Sequence, residues 1–137
     1  MPQFAKLKVG DALPERRRTA DTVTLFMFNA AIWNPHRIHY DHPYTTEVEH
    51  HPALLIDGPL IGDWLSQTVL EWLGEDGELT FFRYSNRKAA YVNDEVVTGG
   101  NVAAIDADKR EVTLSLFVRD KDGDNITPGG ARVRLRA

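Results

Sequence analysis

The chain contains no cysteine, which excludes disulfides, thiolate nucleophiles and Cys-ligated metals. It has no surplus of positive charge. Lys and Arg number 16 against 20 Asp and Glu, a formal net charge of −4, so no basic field draws nucleic acid. No apolar run approaches the roughly 20 residues of a membrane span. The opening Pro2-Gln3-Phe4-Ala5-Lys6 lacks the apolar stretch of a signal peptide. Repeats, low-complexity tracts and linkers are also missing. The 137 residues are 42% hydrophobic and 26% charged, the balance of one globular domain over 1–137 with a single core. A cytoplasmic location is expected, with no membrane and no nucleic-acid partner.

Histidine is scarce too, and what there is lies together. All five histidines fall in one window: His36, His39, His42, His50 and His51. Pro35, Pro43 and Pro52 punctuate it, so it cannot be one continuous helix. Downstream, Leu60, Ile61, Trp64, Leu65, Thr68, Val69, Trp72 and Leu73 recur at three- and four-residue steps, the period of a buried helix face. Pro59 suits the first helical position and Gly74 the residue past the end. The spacing predicts a core helix over 59–73, with a polar, imidazole-rich loop delivered to its N-terminus.

Upstream, Glu15–Ala20 reads as an edge strand and Asp21 as an N-cap. Val23, Phe26, Met27 and Ala30 sit at helical spacing, so Thr22–Ile32 is expected to be a helix with that face buried, although Thr22-Val23-Thr24 also suits a strand start. Pro43–Glu49 fits a short helix or a loop, and Pro52–Ile56 a short extended run. Beyond the core helix the pattern turns strand-like: Leu79–Ala90, Glu95–Ile105 with a bulge or bend expected at Gly99-Gly100, Glu111–Arg119, and Gly130–Arg136 with Ala131, Val133 and Leu135 inward. Helices followed by hairpin-connected strands mean an α+β fold. The economical solution is a curved antiparallel sheet wrapped around the 59–73 helix, which is the hotdog fold.

The run Asn34-Pro35-His36-Arg37-Ile38-His39-Tyr40-Asp41, followed by Gly58-Pro59-Leu60 opening the long helix, resembles the MaoC-like hotdog dehydratases and hydratases. The nearest branch is that of the 3-hydroxyacyl-thioester dehydratases and mesaconyl-type CoA hydratases. The likeness covers about residues 8–136, and the His-bearing motif is its specific part. It implies reversible hydration of an enoyl thioester carried on coenzyme A or acyl carrier protein, with no cofactor and no metal.

The resemblance also implies roles. In the family an Asp five positions before the key His shares the catalytic water with it; here those positions are Asn34 and His39. Asn34 can orient water but cannot take its proton, which leaves His39 as general base for hydration and general acid for dehydration. The oxyanion donor, a backbone N–H opening the central helix, falls on Gly58, where the missing side chain permits close approach. Asp57 stands where many relatives have His. It reads as an N-cap for the helix or as a replacement for the missing carboxylate. His36 is a candidate for substrate contact or for bonding to loop backbone, and His42 is expected at the surface. Tyr40 and Asp41 are expected to brace the loop. Arg83 and Arg87, with Lys88 beside them, are candidates for the phosphates of coenzyme A or for a plain solvated face.

Two other readings remain open on sequence. Asn34 and Asp57 together fit a non-catalytic or half-active subunit paired with a second hotdog chain. A thioesterase would call on Asp63 as an interior carboxylate on the central helix. In each case an open sheet edge and half a groove imply at least a dimer.

Overall fold

The computed structural model describes residues 2–136. The two ends of the domain expected over 1–137, Met1 and Ala137, lie outside the described residues. Strand β1 (Arg16–Thr19) leads into helix α1 (Thr22–Ala31). A histidine-bearing stretch then runs to helix α2 (Gly58–Leu73), followed by strands β2 (Gly77–Tyr84), β3 (Glu95–Asp106), β4 (Glu111–Arg119) and β5 (Gly129–Leu135). The five strands form one antiparallel sheet in the order β1-β3-β4-β5-β2.

Helix α2 carries the core. Leu60, Ile61, Trp64, Leu65, Val69 and Leu73 are buried along it, against the sheet's inner Val96, Val102, Val112, Leu114, Val118 and Val133. Each such aliphatic side chain contributes about 1.5–3 kcal/mol by leaving water. Gly74 ends the helix with φ 58°, a conformation that costs a residue without Cβ little. In β5 the alternation is as expected, with Ala131, Val133 and Leu135 buried and Arg132, Arg134 and Arg136 exposed. No helix among the described residues is long and apolar enough to cross a membrane.

Three expectations are corrected. Helix α1 forms and Asp21 caps it, accepting from the Thr24 N–H at 2.8 Å. Its buried residues, however, are Leu25 and Asn29, while Val23, Phe26, Met27 and Ala30 face outward. The helix packs through a narrow Leu25/Asn29 seam and leaves its broad apolar face open. Gly99 and Gly100 sit in regular register opposite Phe117 and Leu116, and the irregularity falls at Val102/Ala104. Glycine is needed there for space: a Cβ on Gly100 would lie 2.5 Å from the Ser115 carbonyl oxygen. Finally, Asp63 is exposed and its carboxylate accepts from Gln67 at 2.9 Å, so it is not an interior carboxylate.

Candidate active site

The stretch between the helices is a folded loop with its own bracing. After α1 the chain reverses at Trp33, whose φ is 56°. Arg37 donates twice to Asp41, at 3.0 and 2.8 Å, and its guanidinium lies 4.0 Å from the centre of the Tyr44 ring. These contacts act first through the hydrogen bond: the Arg37 guanidinium, with the Tyr44 N–H, holds the Asp41 carboxyl below the ordinary value of 3.8. Tyr40 donates its hydroxyl proton to the Pro35 carbonyl at 2.8 Å. Buried Thr45 donates to the Asp41 carbonyl at 2.7 Å and lies within a single π-helical turn, Tyr44–Val48. Tyr40 and Asp41 therefore brace the loop.

What the bracing presents is His39. Its ring is buried, 8% exposed. Nδ1 lies 2.8 Å from the Leu55 carbonyl oxygen, an acceptor only, so Nδ1 carries the proton in the neutral ring and Nε2 carries the lone pair. Nε2 is 3.5 Å from Asp57 Oδ2, close enough for the carboxylate to favour a charged imidazole.

Asp57 is 0% exposed, and it is not the helix cap. Its backbone occupies the N-cap position, but its side chain makes no capping bond. It turns inward instead, where a carboxylate is tolerated only with partners. Asn29 donates Nδ2–H to Oδ1 at 2.8 Å, and Asn34 donates Nδ2–H to Oδ2 at 3.2 Å. Asn34 is oriented for this by accepting the His36 N–H on its own Oδ1, at 3.2 Å. The carboxylate that the motif lacks at residue 34 thus enters the same space from residue 57, with the Asn34 amide bonded to it.

Asn29 was not legible as a site residue. It is buried, and its Nδ2 also donates to the Leu25 carbonyl at 2.7 Å. With two acceptors fixing the NH2 end, its Oδ1 is left without a partner. A lone amide in the middle of the apolar run Leu25–Ala31 was the one available signal.

Two clefts adjoin this cluster, with no lining residue in common. One, of about 350 Å³, is lined by His39, Leu55, Gly58, Ile61, Asn86 and Arg87 among others, so the imidazole and the first residue of α2 open onto the same space. Gly58 is the first helical residue, whose N–H has no partner within the helix, and the positive end of the helix dipole lies there. The other cleft, of about 170 Å³, has walls of Phe26, Ala30, Trp33, Pro35 and Tyr40, and Asn29 and Asn34 reach it from the Asp57 side.

The remaining candidates separate. His36 is exposed and caps the turn after it, its Nδ1 accepting from the Ile38 N–H at 3.4 Å; its ring centre is 5.8 Å from that of His39. His42 is exposed. Arg87 lines the first cleft and Arg83 does not; Arg83 lies along β2 against Gly130. Lys88 reaches the cleft but is held by Asp120, Asp122 and Asp124 at 2.7, 3.6 and 2.8 Å. The hydrogen bonds it donates to Asp120 and Asp124 raise its pKa, so its charge is already matched.

Known proteins bear on this geometry. A stretch of the chain is 45% identical over 53 residues to mesaconyl-C(4)-CoA hydratase of Chloroflexus aurantiacus, a match that spans 39% of this chain and only 19% of that protein. Among solved structures, an (R)-hydratase from A. caviae involved in PHA biosynthesis superposes with a TM-score of 0.87 at 21% identity, covering 95% of this chain and 98% of that one. A MaoC-like dehydratase gives a TM-score of 0.90 at 20% identity, covering 98% of this chain and 42% of the other. These likenesses establish the hotdog fold. The family model for hydroxyacyl-thioester dehydratase type 2 matches residues 5–92, the part of the chain that holds the motif, Asp57 and all of α2, and the chain belongs to that family.

Proposed function

We propose that the chain catalyses the reversible hydration of a trans-2-enoyl thioester to the 3-hydroxyacyl thioester, with His39 and Asp57 as the catalytic pair and the Gly58 N–H as oxyanion donor. The observation that carries this is the convergence of three groups: the His39 Nε2 lone pair, a buried carboxylate oxygen 3.5 Å from it, and the free end of α2 opening onto the same cleft.

In hydration, a water held at Nε2 in the first cleft bonds through its oxygen to C3 of the enoyl group, and its proton passes to Nε2. The C=C electrons move toward the thioester oxygen, where the Gly58 N–H and the helix dipole meet the developing charge. The resulting imidazolium faces the Asp57 carboxylate. Collapse of the enolate takes a proton at C2 from the pair, which restores it. Dehydration is the same path reversed. Asn34 serves by holding Oδ2, and Asn29 by holding Oδ1.

The family match and the mesaconyl-C(4)-CoA hydratase likeness support the reaction class. The apolar walls of the smaller cleft suit the acyl tail. Arg87 suits a phosphate of the carrier, while Lys88, already matched by three carboxylates, and Arg83, away from the cleft, do not. Because the chain has its own carboxylate beside His39, it does not need a partner to complete the pair. A second copy is included in this reading, since α1 leaves Phe26, Met27 and Trp33 exposed beside the site.

The test is hydration of crotonyl-CoA and longer enoyl-CoAs by the purified protein. His39→Ala is expected to lower kcat by about 10²–10⁴-fold, and Asp57→Asn by about 10²-fold or more, with Nδ1–Leu55 geometry intact. Equal rates for wild type and His39→Ala would reject the assignment. Release of free thiol in place of hydration would move the chain to the thioesterases.

A further inference from the structure

The first cleft contains a side-chain amide that the hydration reading does not use. Asn86 follows the end of β2 and stands against the first turn of α2. A Cβ built on Gly58 would lie 2.4 Å from Asn86 Nδ2, 3.3 Å from Cγ and 4.0 Å from Oδ1. The NH2 end is therefore the end that faces Gly58. Its orientation is imposed from behind: Thr127, fully buried, donates its hydroxyl proton to Asn86 Oδ1 at 2.9 Å. The backbone is pinned on both sides of Asn86, with the Ser85 N–H on the Pro128 carbonyl at 3.0 Å and the Arg87 N–H on the Ile126 carbonyl at 2.8 Å. Among the described residues Nδ2 has no hydrogen-bond acceptor. An amide tied down at its oxygen, with its two N–H groups free in a cleft shared by His39 and Gly58, is a donor waiting for an acceptor.

We propose that Asn86 is a catalytic residue that supplies, through Nδ2–H, a second hydrogen bond to the thioester oxygen beside that of the Gly58 N–H. The inference rests on the hydration reading, which places a thioester oxygen that gains charge in this cleft. Charge arises as the water oxygen bonds to C3 and the π electrons shift toward the carbonyl. Donors fixed in advance stabilise it without reorganising, and loss of one from such a pair lowers kcat by about 10²–10³-fold. The same geometry gives a second reason for glycine at residue 58: any side chain there would occupy the position of the amide. It also gives Thr127 a role as a positioning residue, since its hydroxyl selects which end of Asn86 faces the cleft.

Asn86 is exposed at the cleft rim; Asn86→Ala removes the acceptor of the buried Thr127 hydroxyl, whereas Asn86→Asp keeps it. With crotonyl-CoA as substrate, Asn86→Ala is expected to lower kcat by about 10²-fold with KM changed only a few-fold. Asn86→Asp, equal in shape but acceptor-only, is expected to be slower still, because it aims a carboxylate at the oxygen that gains charge. A merely structural role predicts the reverse order, the near-isosteric Asp being the milder change. A second readout needs no turnover. In a His39→Ala background, the carbonyl stretch of bound crotonyl-CoA is expected to lie below that of the free thioester and to move back toward it when Asn86→Ala is added. If His39→Ala abolishes hydration while both Asn86 variants keep wild-type kcat and the stretch does not move, the Asn86 assignment falls and the His39 reading stands. If wild-type protein neither hydrates crotonyl-CoA nor shifts its carbonyl stretch, both fall together.

Discussion

At the scale of single residues the site turns on where its negative charge is rooted. The motif has Asn34 at the position where the resemblance places an Asp, yet a carboxylate still reaches His39, from residue 57 at the start of α2. Asn34 and Asp57 are side-chain neighbours, with Nδ2 and Oδ2 at 3.2 Å, so the two positions are exchangeable in space although 23 residues apart in sequence. The account therefore predicts an unusual double variant. Asp57→Asn alone lowers hydration by about 10²-fold, and adding Asn34→Asp restores it by about tenfold or more, a non-additivity that only directly coupled residues show. Two independent losses that simply multiply would contradict the pairing. The sequence made His39 and Gly58 legible because the motif and the helix start are local. Asp57 was legible only as a choice between cap and catalyst, because its rotamer depends on Asn29, 28 residues away. Asn29 and Asn86 left almost no local trace; the partners that give them meaning are Asp57 and Thr127, and tertiary contacts alone bring these together.

At the scale of elements, most regular pieces followed from pattern, but the strand expected over Leu79–Ala90 ends at Tyr84 and the orientation of one helix did not follow. The apolar period of α2, with Pro59 at its start and Gly74 at its end, announced a buried helix; its buried residues are those of the period together with Gly62, while Trp72 is half-buried. Helix α1 had an equally apolar stripe, but burial depends on what a helix packs against, and here the seam is Leu25 and Asn29. The irregular element between them owes its shape to side chains, above all the Arg37–Asp41 ion pair. The Arg37 guanidinium lowers the Asp41 pKa on folding. A carboxyl whose pKa falls on folding stabilises the fold above its unfolded value, and that contribution disappears as pH drops through the folded value. Asp41→Asn is thus expected to lower the melting temperature at about pH 7 and to make little difference at about pH 2. Thermal melts of both proteins at the two pH values check this, and an equal gap at both would remove Asp41 from the account of the loop.

At the scale of the whole molecule, the fold is a sheet wrapped over α2 with the candidate site at one end of that helix. The sheet has edges at β1 and β2. The β1 edge is short and carries Arg16, Arg17 and Arg18, the kind of charge that discourages strand addition. The apolar surface lies elsewhere, on α1 and the turn after it, where Phe26 is 57% and Trp33 89% exposed. An exposed apolar face of this kind suits association with a second copy. Sedimentation velocity is expected to find a dimer or larger assembly of the wild type, and Phe26→Asp with Met27→Lys is expected to shift it toward monomer. A wild type that stays monomeric at high micromolar concentration would remove the second copy from the proposed function.

The central claim is that an enoyl thioester sits with its oxygen on the Gly58 N–H and its β-carbon before the His39–Asp57 pair. The most direct measurement is a crystal structure of the His39→Ala protein with crotonyl-CoA bound. The account predicts the thioester oxygen at about 2.7–3.1 Å from the Gly58 nitrogen and C3 facing the space between residue 39 and the Asp57 carboxylate. A thioester bound with its carbonyl turned away from the start of α2, or bound outside that cleft altogether, would contradict it.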